Sequence, residues 1–433
     1  MEWIPTLPRN AWLALSADTL SAVGSGMTLP FLMVYLDGVR GMGLGVAGAA
    51  LSTTALAGLV GNPVGGAWVD RSGPRRVLAA GWAIAAVGTC GFAMASQPWH
   101  AFTAAVTSGI GVALAWPAQD ALLAKLVPAR NHSGVFAMRH ATLNLGLGVG
   151  AFGAALLVDI GRPDTFVFLY LLDAASFTLA AVLLTLVRSP ASSPPAPIGS
   201  KGEEAGIVES PRGYRAVARD RLFVRVWVLL VVLVAVGFSQ LNSAFPVYMT
   251  QAGMSAGSVG WAFAANAVTV MGAQLVVLRF ARGRRRTAAI RMLCGLWALA
   301  WVLMLVVVTG HFGAGAVVAL VVLAAVIFSF GETLFSPTVP ALINSIASEA
   351  LRGRYNGAAA FAYTVGFAAG PALAGALLQH QLGIPLLGGL IVGCGVAGVL
   401  TVSIRRDLPV SADLIDPPTA DGGLENNRQD ATT

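Results

Sequence analysis

The stretch Gly66-Ala67-Trp68-Val69-Asp70-Arg71-Ser72-Gly73-Pro74-Arg75-Arg76 is a charged turn set between two long apolar runs, from Leu44 onward and from Val77 to Ser96. Runs of about 20 apolar residues are long enough to cross a bilayer as helices, so the turn is a short loop at a membrane face. Glycine lets so short a loop reverse direction between packed helices. The arginines favour the cytoplasmic side, because basic residues in short loops resist translocation. Retention needs no acid, yet Asp70 stands at the helix end in a loop with no other acidic residue. That placement asks for a role beyond topology.

The composition of the whole chain agrees. It has 433 residues, 56% of them hydrophobic and only 11% charged, a balance that a soluble domain of this length does not tolerate on its surface. The chain reads as a polytopic membrane protein embedded in a lipid bilayer. Its net charge of +7 is spread over short loops rather than gathered on one face, so nucleic acid is not an expected partner. Cys90, Cys294 and Cys394 lie inside apolar runs without pairing or metal-ligand spacing and read as small hydrophobes; no cofactor or metal is expected. Residues 1–10 have no basic region followed by a cleavable apolar core, so no removable signal peptide is expected.

Twelve apolar segments can be counted, near 11–36, 44–68, 77–97, 101–124, 134–158, 166–187, 223–249, 257–280, 288–309, 314–342, 355–379 and 384–404. With both termini inside, the outer loops hold only Arg40 and Arg162 among the Lys and Arg residues, so cytoplasmic termini are expected. Arginine heavily outnumbers lysine, and Ala, Gly and Val dominate the helices, which suggests a bacterial cytoplasmic (inner) membrane. Residues 1–188 form one six-helix unit and 223–404 a second. Between them, 189–222 contain the Pro/Ser-rich run Ser189-Pro190-Ala191-Ser192-Ser193-Pro194-Pro195-Ala196-Pro197 and read as a cytoplasmic linker. The polar span 405–433 is expected to be a disordered cytoplasmic tail.

The two units echo one another. A shift of 220 residues, with no gap, places Pro117 on Pro337, Ala121 on Ala341, Leu122 on Leu342, Gly146 on Gly366 and Gly150 on Gly370. The prolines carry most of the weight, because Ala and Gly are common here, and both are expected to bend their helices. A weaker echo aligns Gly73-Pro74-Arg75-Arg76 with Gly283-Arg284-Arg285-Arg286, where Phe280 takes the place of Asp70.

The arrangement G-x-x-x-D-R-x-G-x-R-R resembles the loop between helices two and three of the major facilitator superfamily of transporters. The resemblance implies an all-α membrane protein of twelve transmembrane helices, as two six-helix bundles related by pseudo-twofold symmetry, with the substrate site between them near the midplane. It also implies a charge latch on the cytoplasmic side, built from Gly66, Asp70, Arg71, Gly73, Arg75 or Arg76, and the helix-four acid Asp120. One departure is that Pro74 stands at a position usually basic in the family. Gly366-x-x-x-Gly370-Pro371 followed by Gly375 resembles the G-x-x-x-G-P-x-x-G-G motif that drug antiporters of the family carry in helix five. In helix five itself Gly146 and Gly150 are kept, but Ala151 replaces the proline. In helix four, Ala105 and Ser108 replace the arginine and glutamine of the R-x-x-Q-G-x-G pattern of proton antiporters.

Ionisable groups at membrane depth are costly and therefore default to function. Asp18 belongs to a pattern running through Gly24 and Gly26 to Pro30 that is similar to the first helix of bacterial facilitator-type exporters. Glu332 lies in Gly331-Glu332-Thr333-Leu334-Phe335-Ser336-Pro337, which resembles a run in a branch of multidrug exporters. Asp173 in helix six is a third candidate, with a helix-five polar group such as Asn144 as its structural partner, and Arg139 is the candidate cation beside His140. Burial disfavours a charged carboxylate and a neighbouring arginine restores it, so a carboxylate that alternates between the two settings can load and release a proton. The expected function is secondary active efflux of small amphipathic or cationic compounds by alternating access, in exchange for protons, as in multidrug antiporters. Asp18 is the better candidate for the proton and Glu332 for substrate. The alternative is a facilitator or symporter for a metabolite such as a sugar, siderophore or peptide. No nucleophile-base cluster or Walker-type glycine loop suggests an enzyme. A monomer is expected.

Overall fold

Lipid offers no hydrogen bonds to a peptide backbone, so each spanning segment must satisfy its own as a helix. The computed structural model follows this rule. It describes residues 7–128, 131–159, 161–187, 211–281 and 283–415, and among them no strand occurs, only an isolated bridge between Arg285 and Leu414. The N-terminal bundle is built of α1 (Arg9–Val39), α2 (Leu44–Ser72), α3 (Pro74–Ala93), α4 (Pro98–Leu126), α5 (His132–Leu157) and α6 (Pro163–Leu186). The C-terminal bundle is built of α7 (Arg221–Leu241, continued by Ala244–Gln251), α8 (Ala256–Ala281), α9 (Arg286–Thr309), α10 (Ala314–Ile346), α11 (Arg352–Gln379) and α12 (Gly383–Asp407). Over the described residues eleven of these are long and apolar enough to span a membrane, and the twelfth, α8, has 26 residues.

The deciding loop of the sequence is shorter than its charges suggest. Asp70 and Arg71 are the last turn of α2, and only Gly73 separates α2 from α3. Gly73 has φ +80, the left-handed region that favours glycine, and Pro74 opens α3 at the helix position where a missing amide does no harm. Pro74 thus has a structural reason to replace the basic residue. Its counterpart Gly283 also turns left-handed, with φ +70, so the weaker echo between the two loops has a backbone basis.

Packing between helices follows the repeat closely. A side chain at Gly146 or Gly150 would overlap α1 at Thr19, Val23 and Gly26; one at Gly366 or Gly370 would overlap α7 at Val231, Val234, Ala235 and Ser239. Small residues allow this backbone-to-backbone approach, which stands in for the hydrophobic drive that lipid lacks. The contacts between bundles obey the same symmetry. Gly48 of α2 meets Pro371 and Gly375 of α11, and Gly260 of α8 meets Ala155 of α5. Nearby, the Gly45 amide donates to Gln379 Oε1 at 3.2 Å, Ser52 Oγ donates to the Ala368 carbonyl at 2.6 Å, and Phe152 and Trp261 meet edge-on at 4.9 Å. These contacts close the molecule on the face of the Gly41–Gly43 turn. At the opposite face, which carries Arg71, Arg75, Arg76, Lys125, Arg284 and Arg285, Val60 and Val64 of α2 and Val276 of α8 are exposed. We call these the closed face and the basic face.

The two repeat prolines occupy matching places, each nine residues before its helix ends, at Leu126 and Ile346. Their helices differ in continuity. Pro117 lies inside an unbroken α4, whereas α10 stops at Phe335 and restarts at Val339 around Pro337. Pro30 introduces a tight turn, Leu29–Phe31, into α1. Pro371 sits inside an unbroken α11.

Two features lie outside the bundles. Within the span read as linker, Pro211–Arg219 is a short helix that buries Val217; residues 188–210 lie outside the described residues. Within the span read as a disordered tail, residues 408–415 fold back onto the α8–α9 loop. There Thr287 donates its amide to Asp413 Oδ1 at 2.8 Å and its hydroxyl to Oδ2 at 2.9 Å, while Arg286 Nη1 donates to the Ala412 carbonyl at 2.6 Å. Residues 416–433 lie outside the described residues.

If the glycine contacts hold each bundle, Gly150→Val and Gly370→Val should each destabilise the protein by about 1–3 kcal/mol through overpacking. Gly388→Ala, where an added Cβ meets nothing, should leave the melting temperature unchanged. Thermal unfolding in detergent reads the difference, and parent-like melting of both valine variants would refute the packing assignment.

Candidate functional site

Three of the residues singled out in the sequence converge near the basic face. Asp18 lies nine residues into α1, Asp120 six residues before the end of α4, and Arg139 seven residues into α5. At 1.5 Å per residue, each is about 9–14 Å inside the helix end. Arg139 Nε donates to Asp18 Oδ2 at 3.0 Å and Nη1 donates to Asp120 Oδ1 at 2.5 Å. The guanidinium also lies 5.0 Å from the Trp116 ring centre, a cation–π distance. The side chains of Arg139 and Asp18 are 6% and 7% exposed, whereas that of Asp120 is 42% exposed, so one carboxylate is sealed in and the other opens to the basic side.

Two carboxylates sharing one arginine leave the cluster one negative charge in excess. A proton on either acid removes that excess, and the remaining carboxylate keeps the arginine paired. The geometry therefore holds two acids against one buried cation, an arrangement in which the cluster's net charge depends on both carboxylates. Asp120 was expected to join Asp70 and the loop arginines; in this conformation it binds Arg139 instead. Asp70, Arg71 and Arg76 are exposed and form no ion pair among the described residues, and Arg75 Nη2 donates to the Thr185 carbonyl at 3.2 Å. Gly66 is partly buried beside them with open space around its Cα.

Glu332 and Asp173 sit at mid-depth, one in each bundle. Half-buried Glu332 in α10 accepts from Asn266 Nδ2 of α8 at 3.4 Å, and the same amide donates to Ser329 Oγ at 2.7 Å. Fully buried Asp173 in α6 accepts from Thr28 Oγ1 of α1 at 2.6 Å and, at 3.4 Å, from Ser176 Oγ. Its partner is therefore α1 rather than Asn144 of α5. Gly24 faces Asp173 and Ser176, and Gly26 faces Leu147, so the glycines of the Asp18 pattern bring α1 against α6 and α5. Among the described residues no group of three His, Cys, Asp or Glu side chains converges as a metal site. His140 is exposed.

The partnership of Trp116 with Arg139 and the capping of α9 by Asp413 were not legible in the sequence. Each joins residues on separate helices, and no local pattern marks either.

Arg139→Gln should cost about 3–5 kcal/mol of stability, because it strands the buried Asp18 carboxylate. Adding Asp18→Asn to that variant should restore more than half of the loss. Thermal unfolding of the two variants decides: equal losses would mean that Arg139 acts through its packing and not through the pair.

Residues 14–322 match the family model described as Major Facilitator Superfamily. The chain is 25% identical to the Na(+), Li(+), K(+)/H(+) antiporter of Planococcus maritimus, over 78% of this chain and 82% of that protein. It is 24% identical to multidrug resistance protein MdtH of Aeromonas hydrophila, over 90% of this chain and 93% of that protein. A POT family transporter solved in complex with 5-aminolevulinic acid superposes with a TM-score of 0.73 at 16% identity, covering 93% of this chain and 98% of that one, a likeness of fold alone. Twelve helices in two bundles and a family match over most of the chain lead to one conclusion: this multi-pass membrane protein belongs to the Major Facilitator Superfamily, a superfamily of transporters.

Proposed function

We propose that the protein exports small amphipathic or cationic compounds in exchange for protons, by alternating access, with both termini and the basic face in the cytoplasm. The observation that carries this reading is the Asp18–Arg139–Asp120 cluster, in which a sealed acid and an open acid share one buried arginine. In this reading the proton enters and leaves through Asp120, and Asp18 stores the change. Moving the arginine between its two partners links protonation to the relative position of α1, α4 and α5. Glu332, with Asn266 and Ser329, is the cation-recognising acid of the C-terminal bundle. Asp173, tied to Thr28, is a second buried acid between α1 and α6 and acts structurally.

The closed face corresponds to the outside, so the conformation opens toward the cytoplasm. The Asp70–Arg76 latch belongs to the opposite conformation, which accounts for its lack of ion pairs here. The names of the relatives that transport drugs or exchange alkali cations for protons support antiport as the coupling mode. The chain's two domains are assigned to 1–188 and 223–404, joined by the cytoplasmic linker, with the protein acting as a monomer.

The test is flux in proteoliposomes carrying an imposed proton gradient, with lipophilic cations, alkali cations and sugars as separate arms. Lipophilic cations should dissipate the gradient in the parent. Asp18→Asn should abolish gradient-driven flux while leaving counterflow, and Glu332→Gln should weaken cationic substrates far more than neutral ones. Asp70→Asn should slow turnover, since a latch shifts the two-state balance by about 1–3 kcal/mol. Sugar accumulation without any response to lipophilic cations would overturn the reading.

A further inference from the structure

At the basic face of the C-terminal bundle, the short helix Pro211–Arg219 leans on the start of α7 and leaves a cavity of about 570 Å³ lined by Ala218, Arg221, Val224, Arg225 and Asp407. A second cavity of about 300 Å³ is lined by Val217, Ala218, Phe223, Val224, Trp227 and Ala358. Ala218 and Val224 line both. The two spaces therefore adjoin, a charged compartment leading into an apolar one.

Among the described residues, one cation lining the charged compartment is uncommitted. Arg225 is occupied: its Nη1 donates to Ser403 Oγ at 2.9 Å, and its Nη2 pairs with Asp407. That pair neutralises the acid in the lining. Arg221 is exposed, and its guanidinium forms no hydrogen bond or ion pair among the described residues. Exposed Arg215, Arg219, Arg405 and Arg406 lie within a few residues of its lining in the chain and add to the positive charge of this face. The apolar compartment is rigid, because Trp227 donates its indole N–H to the Ala358 carbonyl at 2.8 Å and stacks on Phe361 at 6.1 Å. Tryptophan anchored in this way suits the headgroup level of a bilayer.

An anionic head and an acyl chain along the apolar wall match this pair of compartments, whereas a small inorganic anion would use only the first. We propose that the slot between Pro211–Arg219, α7 and α11 binds an anionic phospholipid, with its phosphate on Arg221 and an acyl chain along Phe223, Val224 and Trp227. A lipid seated there ties the end of the interbundle connection to the C-terminal bundle. The proposal does not depend on substrate or on the direction of transport.

The test uses the full chain in vesicles of phosphatidylcholine, with and without phosphatidylglycerol, read by thermal unfolding and by native mass spectrometry of retained lipid. Phosphatidylglycerol should raise the parent's melting temperature. Arg221→Glu and the milder Arg221→Gln should leave melting in pure phosphatidylcholine unchanged, while Arg221→Gln lowers retention of phosphatidylglycerol about fivefold. Lys125→Glu, an equally exposed change on the other bundle, should retain lipid like the parent. Equal losses in the Lys125 and Arg221 variants would mean general surface attraction and overturn the site. The same stabilisation by inorganic phosphate in neutral vesicles would make it a soluble-anion site. Photo-crosslinks from Val224 landing in residues 189–210 rather than on lipid would show the slot filled by the chain's own linker. Either result would overturn the lipid assignment.

Discussion

Backbone-to-backbone contact at small residues is the constraint on which this molecule rests. Apolar side chains gain little from leaving lipid for one another, so helices adhere where they can come close enough for dispersion and carbonyl contacts to accumulate. Gly146 and Gly150 seat α5 on α1, and Gly366 and Gly370 seat α11 on α7. The same device, reused between bundles at Gly48–Gly375 and Ala155–Gly260, closes one face. Interfaces made of backbone and small residues carry few interlocking side chains, and two such surfaces can part without extracting large groups from pockets. Rigid bundles and a separable seam thus come from one physical choice.

The charge cluster depends on the packing inside the N-terminal bundle. Arg139 is placed by α5, which α1 holds through Gly146 and Gly150, so the register of the Asp18–Arg139 pair is set by glycine packing along the same two helices. A buried ion pair is a weak source of stability and a strong source of orientation, since a misplaced partner leaves a bare charge in a medium that cannot solvate it. Asp120, 42% exposed, is the solvent-facing member of the cluster, while Arg139 is buried.

The helices were readable because hydropathy and helix length answer to the same bilayer thickness. The expected segment 257–280 is α8 at Ala256–Ala281, and 355–379 is α11 at Arg352–Gln379. The ends shifted where charges lie within a helix, as Asp70 and Arg71 do in α2, because a hydropathy count stops at the first charge while the hydrogen-bond ladder continues. The repeat was readable from Pro117 and Pro337 in position but not in helix continuity, since whether a proline breaks a helix depends on which neighbours satisfy the freed carbonyl. Asp18 and Arg139 were both legible as costly residues. Their pairing was not, because they are 121 positions apart and only the bundle brings them together.

The returning segment 408–415 bears on how the chain is made. Asp413 accepts the Thr287 amide at the start of α9 from 126 positions further on. During synthesis α9 emerges with its first turn uncapped and stays so while α10, α11 and α12 are added. The loop around Gly283 reaches its final form only after Ile415 has left the ribosome and bonded the Arg284 carbonyl. The C-terminal bundle is therefore fastened by residues that follow its last helix, and a chain stopped at Asp407 would hold all twelve helices with that fastening open.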